Sequence, residues 1–336
     1  MVCHQQGDFH LLPSFPTPAI HPVKHRMLFV IFAHGCSLGQ SPILVLNALP
    51  RKKGPAGMKN SAYRLFKKPF FGRFVRPWHW PEGVDQQQWQ RLTIASQSGA
   101  KLSGLLAPAH CAVAKGAVLM VHPMGAIAKG FWMKYGHADM LREAGYHVLL
   151  VDLNGFGEST STTMDFPLDV LAAGQALQAQ YPQLPVAVMG ASMGAAMSVC
   201  AMAQPEHPFK AAVLESAFPT LLHFWSRYPI PRLGIQLSRL VYPAGERSLR
   251  PLDAAQRLVG RPSMLMIYGD ADEFTPVADG QLLWRVLNSH TQAEFWQVPG
   301  AQHTHAYAAQ PRDYAQKVVA FLDTQLLHSE QAARQK

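Results

Sequence analysis

The sequence predicts an α/β protein in which a mostly parallel central sheet is wrapped by helices. Three observations carry this. Short runs of apolar and β-branched residues recur without polar alternation, at Ala117–Val121, Tyr146–Val151, Pro185–Met189, Lys210–Leu214, Ser263–Tyr268 and Glu294–Val298. Strands covered on both faces read this way. Helical segments separate those runs, as parallel crossovers require. Finally, Gly190-Ala191-Ser192-Met193-Gly194 stands between one apolar run and the small-residue stretch Ala195–Ala203, which reads as a helix.

Taken in order, Gln90–Ala95 and Leu102–Leu106 bracket Ser98-Gly99 and predict a hairpin. Ala117–Val121 is the first fully buried strand, and Phe131–Ala144 a helix stopped by Gly145. Phe166–Tyr181 is the next helix, after the Tyr146–Val151 strand. Val277–Leu287 and Asp313–Leu327 supply the late helices. The chain has no internal repeat and no low-complexity tract.

The charge is unevenly spread. Of the net +9, residues 1–76 carry +10, with eleven Lys or Arg against Asp8 alone, and residues 77–336 carry −1. A nucleic-acid enzyme needs positive charge around its cleft, so that class of partner is excluded. Residues 1–76 read as a basic and aromatic extension, 77–328 as the main domain, and 329–336 as a tail. Residues 1–57 have little periodicity and read as a poorly ordered leader, with Met58 as an alternative start. Within the extension, Lys59–Arg76 interleaves Tyr63, Phe66, Phe70, Phe71 and Phe74 with basic residues. Packing of those rings on the body is preferred over docking on an acidic membrane surface. Met27–Pro50 is apolar, but His34, Gln40, Pro42 and Asn47 interrupt it well short of a membrane span. Pro77-Trp78-His79-Trp80-Pro81 reads as a rigid junction. Cys3, Cys36, Cys111 and Cys200 show no paired spacing, and free thiols suit a cytoplasmic location.

In an α/β sheet, working residues leave the carboxyl ends of the strands. A Gly-x-Ser-x-Gly turn between strand and helix lifts the serine hydroxyl clear of the sheet, so Ser192 is the expected nucleophile. A neutral hydroxyl attacks poorly and needs an adjacent base oriented by an acid. The acid belongs after a late strand, where Gly269-Asp270-Ala271-Asp272-Glu273 offers three carboxylates. Asp270 reads as a turn brace and Glu273 as solvent-facing. The base belongs after the last strand, where Pro299-Gly300-Ala301-Gln302 leads into His303-Thr304-His305. His303 ends that turn and is the expected base, with His305 second. The His-Thr-His pair lacks a third ligand for a metal, so neither metal nor cofactor is expected. An oxyanion needs two waiting backbone N–H groups. Met193 supplies one, directly after the nucleophile. In the loop His122-Pro123-Met124-Gly125, Pro123 has no N–H, so Met124 supplies the other.

Five pieces of residues 90–328 together resemble the α/β-hydrolase superfamily. They are His-Pro-Met-Gly from 122, Asp-x-x-Gly-x-Gly-x-Ser from 152, Gly-x-Ser-x-Gly from 190, Gly-x-x-Asp-x-x-x-Pro from 269 and Gly-x-x-His from 300. The resemblance implies the α/β-hydrolase fold with a small helical lid, and its spacing selects Asp272 as the acid. Glu215-Ser216-Ala217-Phe218 and Pro251-Leu252-Asp253-Ala254-Ala255 are similar to small-lid serine hydrolases of esterase or serine-aminopeptidase type. Pro123 departs from the glycine common there. The Asp152–Ser159 loop reads as structural support.

The implied lid, about 217–250, is rich in bulky apolar residues, and Phe218, Leu222, Trp225 and Tyr228 are its candidate pocket residues. No acidic cluster able to hold a free amino terminus stands out. The expected activity is therefore hydrolysis of carboxylic esters, small molecules with apolar acyl or alcohol groups, through an acyl-enzyme. A peptidase, thioesterase or acyltransferase with the same three residues is the alternative, and a non-catalytic binding protein the remote one. The oligomeric state is not set by the sequence.

Overall fold

The structure is a computed structural model that describes residues 44–47 and 79–334, apart from 126, 227, 242–246 and 248. Most of the basic extension, including Lys59–Arg76, lies outside the described residues, as do Cys3 and Cys36.

The first element among the described residues is β1 (Leu44–Asn47), a short strand parallel to β2 (Gln90–Ala95). Four residues within a longer apolar stretch carry no period, so this strand is invisible in the sequence. β2 turns through Ser98-Gly99 into β3 (Lys101–Ala107), antiparallel, with Gln90 opposite Leu106 and Ala95 opposite Lys101. Next come β4 (Gly116–Val121), α1 (Gly130–Lys134), α2 (His137–Glu143) and β5 (Tyr146–Val151). One helix is expected over 131–144. The structure has two, because Gly136 adopts a left-handed φ of 76° that no helix interior accommodates.

The remaining elements alternate. They are α3 (Phe166–Gln180), β6 (Val186–Ala191), α4 (Met193–Met202) and β7 (Phe209–Glu215). The lid contributes α5 (Leu221–Phe224) and α6 (Pro229–Val241), followed by α7 (Pro251–Ala255). Then come β8 (Ser263–Gly269), α8 (Val277–His290), β9 (Ala293–Val298), α9 (Ala306–Ala309) and α10 (Pro311–Arg334).

Among the described residues, nine strands form one sheet in the order β1-β2-β3-β5-β4-β6-β7-β8-β9. All neighbours are parallel except β2–β3 and β3–β5. Every residue of β4 and β6 is buried. Their side chains alternate between two cores, as the period of a strand demands. Ala117, Leu119 and Val121 face a core shared with α3, α4 and α8, whereas Val118 and Met120 face one shared with α1, α2 and α10. Burying each such leucine or valine is worth about 1.5–3 kcal/mol. Both faces are therefore closed, and the free ends of the strands remain for chemistry.

The chain order reverses direction across the sheet at β4. Connection β4 to β5 runs one way, and β6 onward runs the other. A crevice opens outside the carboxyl ends at such a switch point. The loops leaving β4 and β6 meet there. Among the described residues, no helix is long and apolar enough to cross a membrane.

Candidate active site

Ser192 sits between β6 and α4 with φ 50° and ψ −112°, a conformation costly for a residue with a side chain. Its amide donates to the Glu215 carbonyl of neighbouring β7 at 2.8 Å, and its own carbonyl accepts from Ala196 at 3.0 Å. The tightness of the turn explains the flanking glycines. A Cβ on Gly194 would lie 2.0 Å from the Val121 carbonyl oxygen, and one on Gly190 would lie 2.6 Å from the Ala195 nitrogen. Backbone from β4 and α4 fills the space that a side chain would need.

His303 approaches from the loop after β9. Its Nε2 is 2.8 Å from Ser192 Oγ, and its Nδ1 is 2.8 Å and 3.0 Å from the two carboxylate oxygens of Asp272. Three side chains scattered over 112 positions of the chain thus meet at one rim. This contact fixes the ring's roles. With Nδ1–H donated to the carboxylate, Nε2 is left to accept from the serine hydroxyl.

Asp272 is buried and heavily solvated by protein donors. Its Oδ1 accepts from the amides of Phe274 at 2.9 Å and Thr275 at 2.8 Å. Its Oδ2 accepts from Thr275 Oγ1 at 2.6 Å and Ser216 Oγ at 2.9 Å. Burial alone would raise its pKa, but the hydrogen bond and charge of His303, with the Thr275 donors, outweigh that. The carboxyl is held below its ordinary range, so it stays ionised.

Asp270 is exposed and accepts from the Gly300 amide at 2.6 Å. It braces the turn ahead of His303 rather than its own turn. Glu273 is exposed. His305 is also exposed, with Nδ1 2.6 Å from the His303 carbonyl.

On the opposite side stand the two amides expected to hold an oxyanion. Met193 begins α4, where a helix presents unpaired N–H groups and the positive end of its dipole. Among the described residues, neither its amide nor that of Met124 donates to another protein group. The Met124 loop is fastened by His122, whose Nδ1 lies 2.7 Å from the Pro123 carbonyl and whose Nε2 accepts the Leu153 amide at 3.1 Å. Burial lowers the pKa of His122, which keeps the ring neutral and able to accept at one nitrogen.

Three residues have supporting roles that the motifs alone do not assign. Thr275 and Ser216 orient Asp272. Glu215 accepts from the Ala306 amide at 3.0 Å and from Tyr314 Oη at 2.8 Å, tying the loop after His303 to α10. Thr275 has a sequence signal, an Asp followed three residues later by Thr just before a helix-initiating proline. Ser216 and Glu215 belong to the Glu215–Phe218 piece at a strand end, which marks the place without assigning these roles.

The Asp152–Ser159 loop is held by charge. Buried Lys129 reaches Asp152 and, at 3.0 Å, Glu158, while the Lys129 amide donates to Asp152 at 2.9 Å.

An apolar pocket of roughly 380 Å³, open mouth included, runs from Met193 and Met124 beneath the lid to Phe218, Leu221, Phe224 and Trp225. Of the four lid residues expected here, Phe218 and Trp225 line it. Leu222 does not, because Leu221, Phe224 and Trp225 share one face of α5 at spacings of three and four. Tyr228 lines a neighbouring cleft with His223, Phe274, Glu273 and Asp279. The Phe274 and Phe224 rings border His303, at 5.3 and 6.1 Å between centroids. Two carboxylates therefore stand near the site, which no local run in the lid announces.

Sheet order, elbow and lid define an α/β-hydrolase fold. A family model described as serine aminopeptidase, S33, matches residues 112–242. Human protein ABHD12B is 26% identical over 179 residues, 49% of each chain, so this chain aligns with about half the length of that curated relative. Among solved structures, the esterase Pf2001 of Pyrococcus furiosus superposes with a TM-score of 0.60 at 20% identity, over 76% of this chain and 98% of that one. The acylaminoacyl peptidase of Pyrococcus horikoshii gives 0.54 at 16% identity, over 71% of this chain and 42% of that one. The fold is that of the α/β-hydrolases, and the matched serine aminopeptidase model spans the Ser192 elbow.

Proposed function

We propose that the protein hydrolyses carboxylic esters bearing apolar acyl or alcohol groups, through an acyl-enzyme on Ser192. One observation carries this reading. His303 bridges Ser192 and Asp272 with 2.8 Å contacts on both sides, next to a pocket with an apolar lining. In this mechanism Nε2 of His303 takes the Ser192 proton as the hydroxyl oxygen attacks the carbonyl carbon. Asp272 keeps the proton on Nδ1 and stabilises the imidazolium that forms. The amides of Met193 and Met124 hold the developing oxyanion, an interaction worth about 10²- to 10³-fold per donor. His303 then returns its proton to the leaving alcohol. Water, deprotonated by the same nitrogen, attacks the acyl-enzyme and releases the acid and free Ser192. The buried thiol of Cys200, outside any disulfide among the described residues, supports a cytoplasmic setting.

A peptidase reading is second. It is favoured by Glu273 and Asp279 in the cleft beside Phe274, where carboxylates suit a substrate ammonium. A fluorophosphonate probe is expected to label wild type and not Ser192→Ala, and a folded wild type that resists the probe would end both readings. A series of p-nitrophenyl esters of rising acyl length, run beside aminoacyl anilides, ranks the two. Turnover confined to the anilides reverses the order.

A further inference from the structure

Surface helices of globular proteins turn their apolar stripe toward the core. In the lid, α6 leaves three described apolar side chains outward. Ile230, Leu233 and Leu237, spaced by three and four residues on one face, are 80%, 56% and 52% exposed. Tyr228 and Phe274, at the mouth of the neighbouring cleft, are 42% and 46% exposed. Tyr228 packs edge-on against Trp225, at 5.7 Å between ring centroids. Leu221, Phe224 and Trp225 of the same lid line the apolar pocket.

Charge decides what covers this face. The lid, 217–250, holds five arginines (Arg227, Arg232, Arg239, Arg247 and Arg250) against one acid, Glu246, for a net +4. Counting three further acids against that +4, Asp253, which pairs with Arg250 at 3.4 Å, and Glu273 and Asp279 of the neighbouring cleft, the region stays positive at +1. Residues 1–76 carry +10, so the chain's own extension has the wrong sign to sit on the lid. A second copy would oppose like to like in the same way. An anionic lipid surface matches both properties, with acyl chains for the aliphatic stripe and headgroups for the lid's net positive charge.

We propose that the exposed face of α6, Ile230, Leu233 and Leu237, docks the lid on an anionic lipid bilayer and admits acyl chains from it to the pocket beneath. The docking stands on the lid's exposure and charge alone. The delivery of acyl chains rests on the ester-hydrolase reading.

The test is co-sedimentation of the full-length protein with extruded vesicles, either pure phosphatidylcholine or a mixture with phosphatidylserine. Wild type is expected to bind the mixed vesicles roughly tenfold more tightly than the neutral ones. Ile230→Ser/Leu233→Ser/Leu237→Ser is expected to lose roughly tenfold or more of that binding, since three aliphatic side chains no longer enter the bilayer. Because the three positions are exposed, its melting temperature and its turnover of a water-soluble p-nitrophenyl ester stay within a few degrees and about twofold of wild type, respectively. Ile230→Leu/Leu233→Ile keeps the apolar face and keeps binding. Wild type that ignores both vesicles, or a triple variant that binds as wild type does, overturns the proposal. So does a sharp fall in melting temperature, which means the chain itself covers the face, or the loss of a wild-type dimer in sedimentation velocity. Vesicle binding that follows the expected pattern without ester turnover leaves the docking intact and removes the ester-hydrolase reading.

Discussion

Glu215 accepts the Ser192 amide on its carbonyl at 2.8 Å and, with its carboxylate, the Ala306 amide at 3.0 Å. One residue at the end of β7 thus clamps both the strained elbow and the segment three residues beyond His303. The carboxyl is fully enclosed, and burial raises its pKa against the pull of Ala306 and Tyr314. Glu215→Ala leaves two buried donors without an acceptor and is expected to cost about 1–3 kcal/mol per orphaned group. Urea denaturation measures this. Glu215→Gln, which restores an acceptor, should recover part of the loss.

Asp272 and Thr275 act in different degrees. Asp272→Asn keeps the shape but allows His303 the wrong tautomer, and turnover is expected to fall about 10⁴-fold with KM little changed. Thr275→Val removes one hydroxyl donor to an ionised carboxylate, an interaction worth about 1.5–3 kcal/mol. Its kcat is expected to fall by about tenfold or more, between wild type and Asp272→Asn. Steady-state kinetics on one soluble ester orders the three proteins, and equal kcat for Thr275→Val and wild type removes the positioning role of Thr275.

Gly194 is fixed by space. The methyl group of Gly194→Ala would be driven into the Val121 carbonyl, which belongs to the central strand and has no room to retreat. Strain of this kind costs about 1–3 kcal/mol or more, and it bears directly on the Met193 amide beside it. A drop in melting temperature together with weaker fluorophosphonate labelling is expected. A variant as stable and reactive as wild type would show that the elbow is looser than its contacts imply.

His137 gives the protein an acid-sensitive joint. Among the described residues it is buried with neither ring nitrogen hydrogen-bonded, enclosed by Phe131, Trp132, Tyr307 and Tyr314. Burial, aided by the charge of His305, depresses its pKa to about 3. The unfolded chain protonates this group near about 6.5, so protons favour unfolding between those two values. Its stabilising effect is complete above about pH 6.5 and declines by about 1.4 kcal/mol per unit as pH falls towards 3. His137→Phe lacks this slope. Between pH 7 and about pH 5, wild type should lose about 2 kcal/mol more than the variant in urea denaturation. Parallel curves would place the titrating group elsewhere.

The strand runs, the elbow and the spacing of Gly269, Asp272 and Pro276 were legible because each is local. A strand buried on both faces must be apolar throughout, and a turn crowded by backbone must be glycine. Ser192, Asp272, His303, Met124 and Met193 each end or follow such a local signal, which is why sequence alone could nominate them. β1 was not legible, since Leu44–Asn47 becomes a strand only by pairing with β2. The break at Gly136 needed a backbone angle, and the absence of Leu222 from the pocket needed the rotation of α5.

What the sequence determined by itself is the set of elements and the order in which chemistry-bearing residues leave them, because periodicity and turn chemistry act over a few neighbouring residues. Only the tertiary structure decided which of those residues touch. The 2.8 Å contacts of His303 with Ser192 and Asp272, the support from Ser216, Thr275 and Glu215, and the outward apolar face of α6 arise from sheet order and packing. Those are relations between segments far apart in the chain, and no window of sequence contains both partners.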